Sequence, residues 1–162
     1  MTPDPPDDLS KLIRAEWNPA NTYDLAPACH TGWYDTNRGG QQITVTNPDE
    51  SVINGGETGF TSLRGDGSPS QLWGGEVYVN TWAGTREDCR GLHPDGGDLN
   101  PKALATALRD EATRIIDAHA DGDLDGENVF NTLAVARRRG LADTDGPATV
   151  FRWELRLLYT YD

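Results

Sequence analysis

The closing segment, TVFRWELRLLYTYD, alternates with a period of two. Phe151, Trp153, Leu155, Leu157, Tyr159 and Tyr161 fall in one phase, and Arg152, Glu154, Arg156, Leu158 and Thr160 in the other. Successive side chains of an extended chain point to opposite sides, so this pattern predicts a strand with one apolar face. Between Asn100 and His119 the period changes to that of a helix. Leu104, Ala107, Leu108, Ala112, Ile115 and Ile116 form one stripe, Asn100 is the cap and Pro101 takes the first turn. In Glu76 to Trp82, Val77 and Val79 face one way and Tyr78 and Trp82 the other, which predicts a central strand covered on both faces.

The weaker signals complete the order. Asp8 is placed to cap a helix carrying Leu9, Leu12, Ile13 and Trp17, ended by Asn18-Pro19-Ala20-Asn21. Ala28 to Tyr34 and Gln42 to Thr46 read as strands around a turn at Asp35 to Gly40. Phe130 to Arg137 reads as another strand, and Asp143 to Pro147 as a turn. Residues 1–7, with Pro3, Pro5 and Pro6, are expected to be a disordered or extended arm. Residues 47–75, rich in glycine, are expected to be a long loop excursion, a feature that usually marks a binding loop or assembly arm. Arg64-Gly65-Asp66 within it matches an adhesion tripeptide, a pattern too short to carry weight. The expected fold is a single α+β domain over residues 1–162, with a mostly antiparallel sheet and two helices packed on one face.

Composition adds an environment to this outline. Mean hydropathy is −0.63, so the surface is polar, while five Trp, five Tyr and three Phe supply bulky core material. The net charge is −12, with 18 of the 26 acidic residues Asp and only Lys11 and Lys102 as lysines. Short carboxylates with few lysine stems suit a protein that stays soluble in very high salt. The same charge repels phosphate and argues against sequence-specific reading of nucleic acid. The one basic run, Arg137-Arg138-Arg139, reads as a solvated strand end or loop. No apolar run approaches the ~20 residues that cross a bilayer, and MTPDPPDDLS lacks the regions of a secretory signal, so a soluble chain is expected.

Candidate chemistry is sparse. There is no G-x-S-x-G elbow and no P-loop lysine, and His30, His93 and His119 sit in unrelated contexts, so an enzyme is not expected. Cys29-His30 and Cys89-x3-His93 offer zinc-type donors, but adjacent residues rarely both reach one ion, and buried thiols are the expected state of the cysteines. In DGDLDGENVFNT, Asp121, Asp123 and Asp125 occupy the first, third and fifth positions of a calcium loop. Gly126 supplies its turn and Glu127 a carbonyl. The twelfth position, a bidentate Glu in such loops, is Thr132, and the eighth is Asn128. Asp121, Asp123, Asp125 and Glu127 are thus Ca2+ candidates lacking the ligand that closes the cage, and a solvated acidic connector is the expected reading.

The helix around DLSKLIRAEW, the strand before QQITVTNP, the strand EVYVNTWAG, the helix ALATALRDEATRIIDAH and the closing strand FRWELRLLYTYD together cover most of the chain. In that order they resemble the tail terminator (tail completion) proteins of tailed viruses, in the form carried by haloarchaeal viruses. The resemblance implies a structural virion protein without catalysis, found at the tail-neck junction and, during assembly, in the host cytoplasm. It implies a homo-oligomeric ring, commonly a hexamer, that ends the tail tube and joins it to the neck. Its partners would be the tail-tube protein and the neck or stopper protein, with genomic DNA only passing through the lumen and no membrane. The head-closure (stopper) protein of the same neck is the near alternative, and a Ca2+-binding interaction module a more distant one.

Overall fold

The structure, a computed structural model, describes residues 4–52, 62–63, 69–70, 73–120, 130, 132–144 and 148–161. In chain order these form α1 (Pro5–Glu16), β1 (Ala28–Thr31), β2 (Gln42–Val52), β3 (Ser62–Leu63), β4 (Pro69–Ser70), β5 (Trp73–Gly84), α2 (Pro101–Ala118), β6 (Thr132–Asp143) and β7 (Val150–Tyr161). The main sheet has the order β1-β2-β5-β7-β6, antiparallel throughout except for the parallel β1–β2 pair, and β3 and β4 pair separately. This is the α+β architecture expected, with β5 central.

Strand alternation gives the sheet two different faces. Cys29, Ile43, Val45, Val77, Val79, Leu155, Leu157, Tyr159 and Leu133 lie side by side in register on one of them, and all are buried. Both helices cover this face, α1 against β1 and β2, and α2 against β5, β6 and β7. α2 contributes Leu104, Leu108, Ala112, Ile115 and Ile116, all fully buried, and α1 contributes Leu9 and Ile13. Each such Leu or Ile is worth roughly 1.5–3 kcal/mol relative to exposure. The start of α2 is set as predicted: Asn100 Oδ1 accepts from Lys102 N at 2.9 Å and Ala103 N at 3.3 Å, and Pro101 opens the first turn.

A buried carboxylate ties α2 to the turn that follows α1. Glu111 on α2 accepts from Asn18 N (2.9 Å), Asn21 Nδ2 (2.7 Å) and Arg114 Nε (3.0 Å). Burial alone pushes its pKa up, but the hydrogen bonds and the Arg114 charge outweigh burial and hold it below the ordinary glutamate value. A second tie uses a missing side chain. Glu50, Gly75 and Tyr159 are aligned across β2, β5 and β7, so Glu50 reaches over a glycine to the hydroxyls of Tyr159 (2.6 Å) and Tyr161 (2.7 Å). Burial, reinforced by the Glu50 hydrogen bond and charge, pushes Tyr161 up to about 12.

Four expectations are corrected in position. α1 starts at Pro5, not after Asp8. Asp4 is its cap and proline is tolerated in the first turn, so residues 5–7 belong to a helix and not to an arm. β2 runs on to Val52 and β5 begins at Trp73, which shortens the expected excursion at both ends and leaves the short β3–β4 pair within it. The basic run Arg137-Arg138-Arg139 lies in the middle of β6. β6 is an edge strand exposed on both sides at this point, so it needs no alternation to hold three charges. Asp143, expected in a turn, is the last residue of β6.

Candidate interaction surface

The chemical candidates are not brought together. Cys29 and Cys89 are free, buried thiols. Cys29 Sγ lies 3.6 Å from Ser10 Oγ, Cys89 Sγ donates to Ala83 O at 3.4 Å, and burial raises both thiol pKa values. His30 pairs with Gln42 at 3.0 Å, on the other side of the sheet from Cys29. His93 packs against Tyr23 and pairs with Asp95, and His119 reaches Glu16 Oε1 at 2.7 Å. Among the described residues no three His, Cys, Asp or Glu side chains form a metal-holding group, and no helix is long and apolar enough to cross a membrane. The Ca2+ candidates Asp121, Asp123, Asp125 and Glu127, and Arg64-Gly65-Asp66, lie outside the described residues. Thr132, at the twelfth position of the calcium pattern, is the first residue of β6, and its Oγ1 shares a hydrogen bond with Thr160 Oγ1 at 2.6 Å.

The helix-free face of the sheet is more informative. Its floor is built from Thr44, Tyr78, Asn80, Trp82, Arg152, Glu154, Arg156, Leu158, Arg137 and Arg139, the phase opposite to the core residues. One end is roofed by the 32–41 segment that connects the parallel strands β1 and β2. Parallel neighbours generally need a crossover of about a dozen residues, usually a helix. Here Gln42 takes that role with its amide, donating to Asp35 O (2.5 Å) and Gly39 O (2.6 Å) while accepting from Asp35 N (3.0 Å). The pinned segment lays Trp33 and Tyr34 on Trp82, with ring centroids 5.0 and 4.8 Å away, and so buries Trp82 on a face that has no helix.

Arg152 is locked beneath this roof. Its guanidinium lies 5.1 Å from the Trp33 ring and 5.0 Å from the Trp82 ring. It donates to Asn80 Oδ1 (2.6 Å), Asp143 Oδ2 (2.9 Å) and Glu154 Oε2 (3.4 Å). The planar, weakly hydrated guanidinium suits such stacking, which an ammonium would not reproduce. Further along the face Arg156 pairs with Glu76, Nε to Oε2 at 2.6 Å, and Arg139 lies 3.7 Å from Glu154. The two exposed large apolar residues among those described, Trp33 (53% exposed) and Leu158 (45%), both belong to this face. Arg152 and Leu158 are six residues apart on one strand, so the two apolar points stand about 20 Å apart with arginines between them.

This face therefore offers solvent an exposed Trp and several Arg side chains, residue types enriched where proteins associate. Part of it is readable, because Leu158 stands among the polar positions Arg152, Glu154, Arg156 and Thr160 of β7. Trp33 was not, since its exposure depends on where Gln42 pins the crossover. No protein-family model matches the chain, and no curated protein matches it.

Proposed function

We propose that this chain is a structural subunit that assembles into a ring through its open sheet face, and that the ring is the tail terminator of a tailed virus, ending the tail tube and joining it to the neck. The observation that carries the assembly reading is that both large apolar side chains exposed among the described residues, Trp33 and Leu158, lie on the arginine-bearing face that no α-helix covers. The choice of terminator rests on the element order, helix, strands, long helix, strands, which resembles that family. An open sheet backed by the 18-residue α2 favours it over the small β-barrel usual for a stopper. Acidic composition suits a ring through which DNA slides without being held. The test is to add the purified chain, in molar salt, to polymerising tail-tube protein of the same virus and to image the tubes. The expected result is a discrete multimer capping one end and arresting growth. A chain that stays monomeric at every concentration and leaves tube length unchanged would overturn the reading.

A further inference from the structure

The helix side of the sheet is unfinished at its β6 edge. Gly140 and Ala142 stand opposite Trp153 and Phe151, in the phase that is buried elsewhere in the sheet, yet both are exposed. Between them and the first turns of α2 lies a cavity of about 450 Å³. That falls within the range of about 300–1,000 Å³ found for binding pockets. The rings of Phe151 and Trp153 wall it, with Thr106 and Lys102 on the α2 side.

The walls are fixed in place. Trp153 Nε1 donates to Thr106 Oγ1 at 3.3 Å, and the Arg109 guanidinium lies 4.3 Å from the Trp153 ring. A Cβ at position 140 would stand 3.2 Å from the indole, so glycine there lets the ring lie across β6. Lys102 is the exposed cation of this pocket. Its Nζ is 5.9 Å from the centroid of Phe151, and it has no carboxylate partner among the described residues. Aromatic walls with an unpaired ammonium beside them match the negative face of a further aromatic ring, through ring–ring and cation–π contact.

The chain itself carries such a ring. Trp33 is the one exposed aromatic side chain among the described residues, and its inner half already rests on Trp82 and Arg152. A side chain held this way has little rotamer freedom left to lose on binding. Trp33 lies over the face that no α-helix covers, whereas the pocket opens on the helix side, so one copy cannot fill its own pocket. We infer that Trp33 of one copy inserts into the pocket between α2 and β6 of the next, and that repetition of this head-to-tail contact closes the ring. The inference rests on the ring reading above and supplies the surface that receives the open face. Different patches on the two partners make the contact heterologous, the kind that generates rings when its rotation closes.

The test uses two full-length variants, Trp33→Ala, which removes the plug, and Ala142→Trp, which fills the pocket. Both are sized by analytical ultracentrifugation in molar salt beside the wild type, with thermal melts to establish folding. Each variant alone is expected to dissociate, with an apparent Kd raised about thirtyfold or more, the scale of an aromatic hot spot. A one-to-one mixture, at concentrations well above those at which the wild type assembles, is expected to form a heterodimer and nothing larger. Ala142→Trp still carries a plug and Trp33→Ala still carries a pocket, so one contact remains to be made. Ala142→Trp leaves the roof over Trp82 untouched and decides alone if Trp33→Ala fails to fold. If the wild type forms a ring and folded Ala142→Trp does so equally well, the contact is wrong while the ring reading stands. If Ala142→Trp forms the ring but no longer caps tail-tube protein, the pocket receives the tube protein and the inference fails. A wild type that stops at monomer or dimer at every concentration overturns both.

Discussion

The two faces of one sheet are built from different chemistry. Val79 and Asn80 are neighbours on β5, yet Val79 packs under the helices with Val45 and Leu155, while Asn80 takes a hydrogen bond from an arginine stacked on two tryptophans. The helix-covered face is dry and apolar, and it accounts for most of the hydrophobic burial. The open face is built from arginines, carboxylates and aromatic rings, and leaves Trp33 and Leu158 in contact with solvent. Alternation along a strand therefore assigns the core to one set of residues and leaves the set between them for the association proposed above.

The sharpest way to break this comparison is to cut the covered face. Leu108→Ala removes a fully buried side chain of α2 and is expected to cost about 2–5 kcal/mol, read as a lower urea midpoint with unchanged slope. A loss below about 1 kcal/mol would mean that the helices are not what holds the sheet. Next in size is the buried tie between α2 and the turn after α1: Glu111→Ala leaves Asn18 N and Asn21 without their acceptor and Arg114 without its carboxylate, and is expected to cost about 2–3 kcal/mol.

That tie also has a pH signature. The native pKa of Glu111 lies below the ordinary value near 4.3, so below that value the unfolded chain binds more protons than the folded one at this site. The contribution is complete above about pH 4.3 and is lost as pH falls through the lowered native value. Glu111→Gln should therefore flatten the acid limb of stability against pH relative to wild type, and an unchanged limb would contradict the assignment. Arg152→Lys probes the exception, a buried charge on the open face. Lysine keeps the charge but loses the stacking and the geometry to Asn80, with an expected cost of about 1–2 kcal/mol and a changed tryptophan emission from Trp33 and Trp82.

Much of this architecture was legible before any coordinates. The alternation of β7, the stripe and caps of α2, and the two-sided burial of β5 are local patterns, and each appears where its period puts it. What was not legible depends on pairing. The parallel β1–β2 contact relies on Gln42 holding a crossover that contains no α-helix, only a 3-10 turn at Thr36–Arg38, which no local period reports. Arg137 to Arg139 break every alternation rule and are strand residues only because β7 pairs with them from one side. The start of α1 is ambiguous in sequence because Asp4 and Asp8 are both acceptable caps, and only the Asp4 contact to Asp7 N decides between them. Of the interaction surface, Leu158 stood out of phase, whereas the roof of Trp33 over Trp82 is a tertiary event.

The most direct test of the central claim is a single substitution on the open face, Leu158→Asp, followed by melting temperature and mass distribution in molar salt. Because Leu158 is 45% exposed and lies outside the helix-covered core, its loss should shift melting by no more than about 2 °C. The expected result is a folded chain with near wild-type melting that no longer assembles. A variant that assembles like wild type, or one that fails to fold, would contradict the division of labour between the two faces.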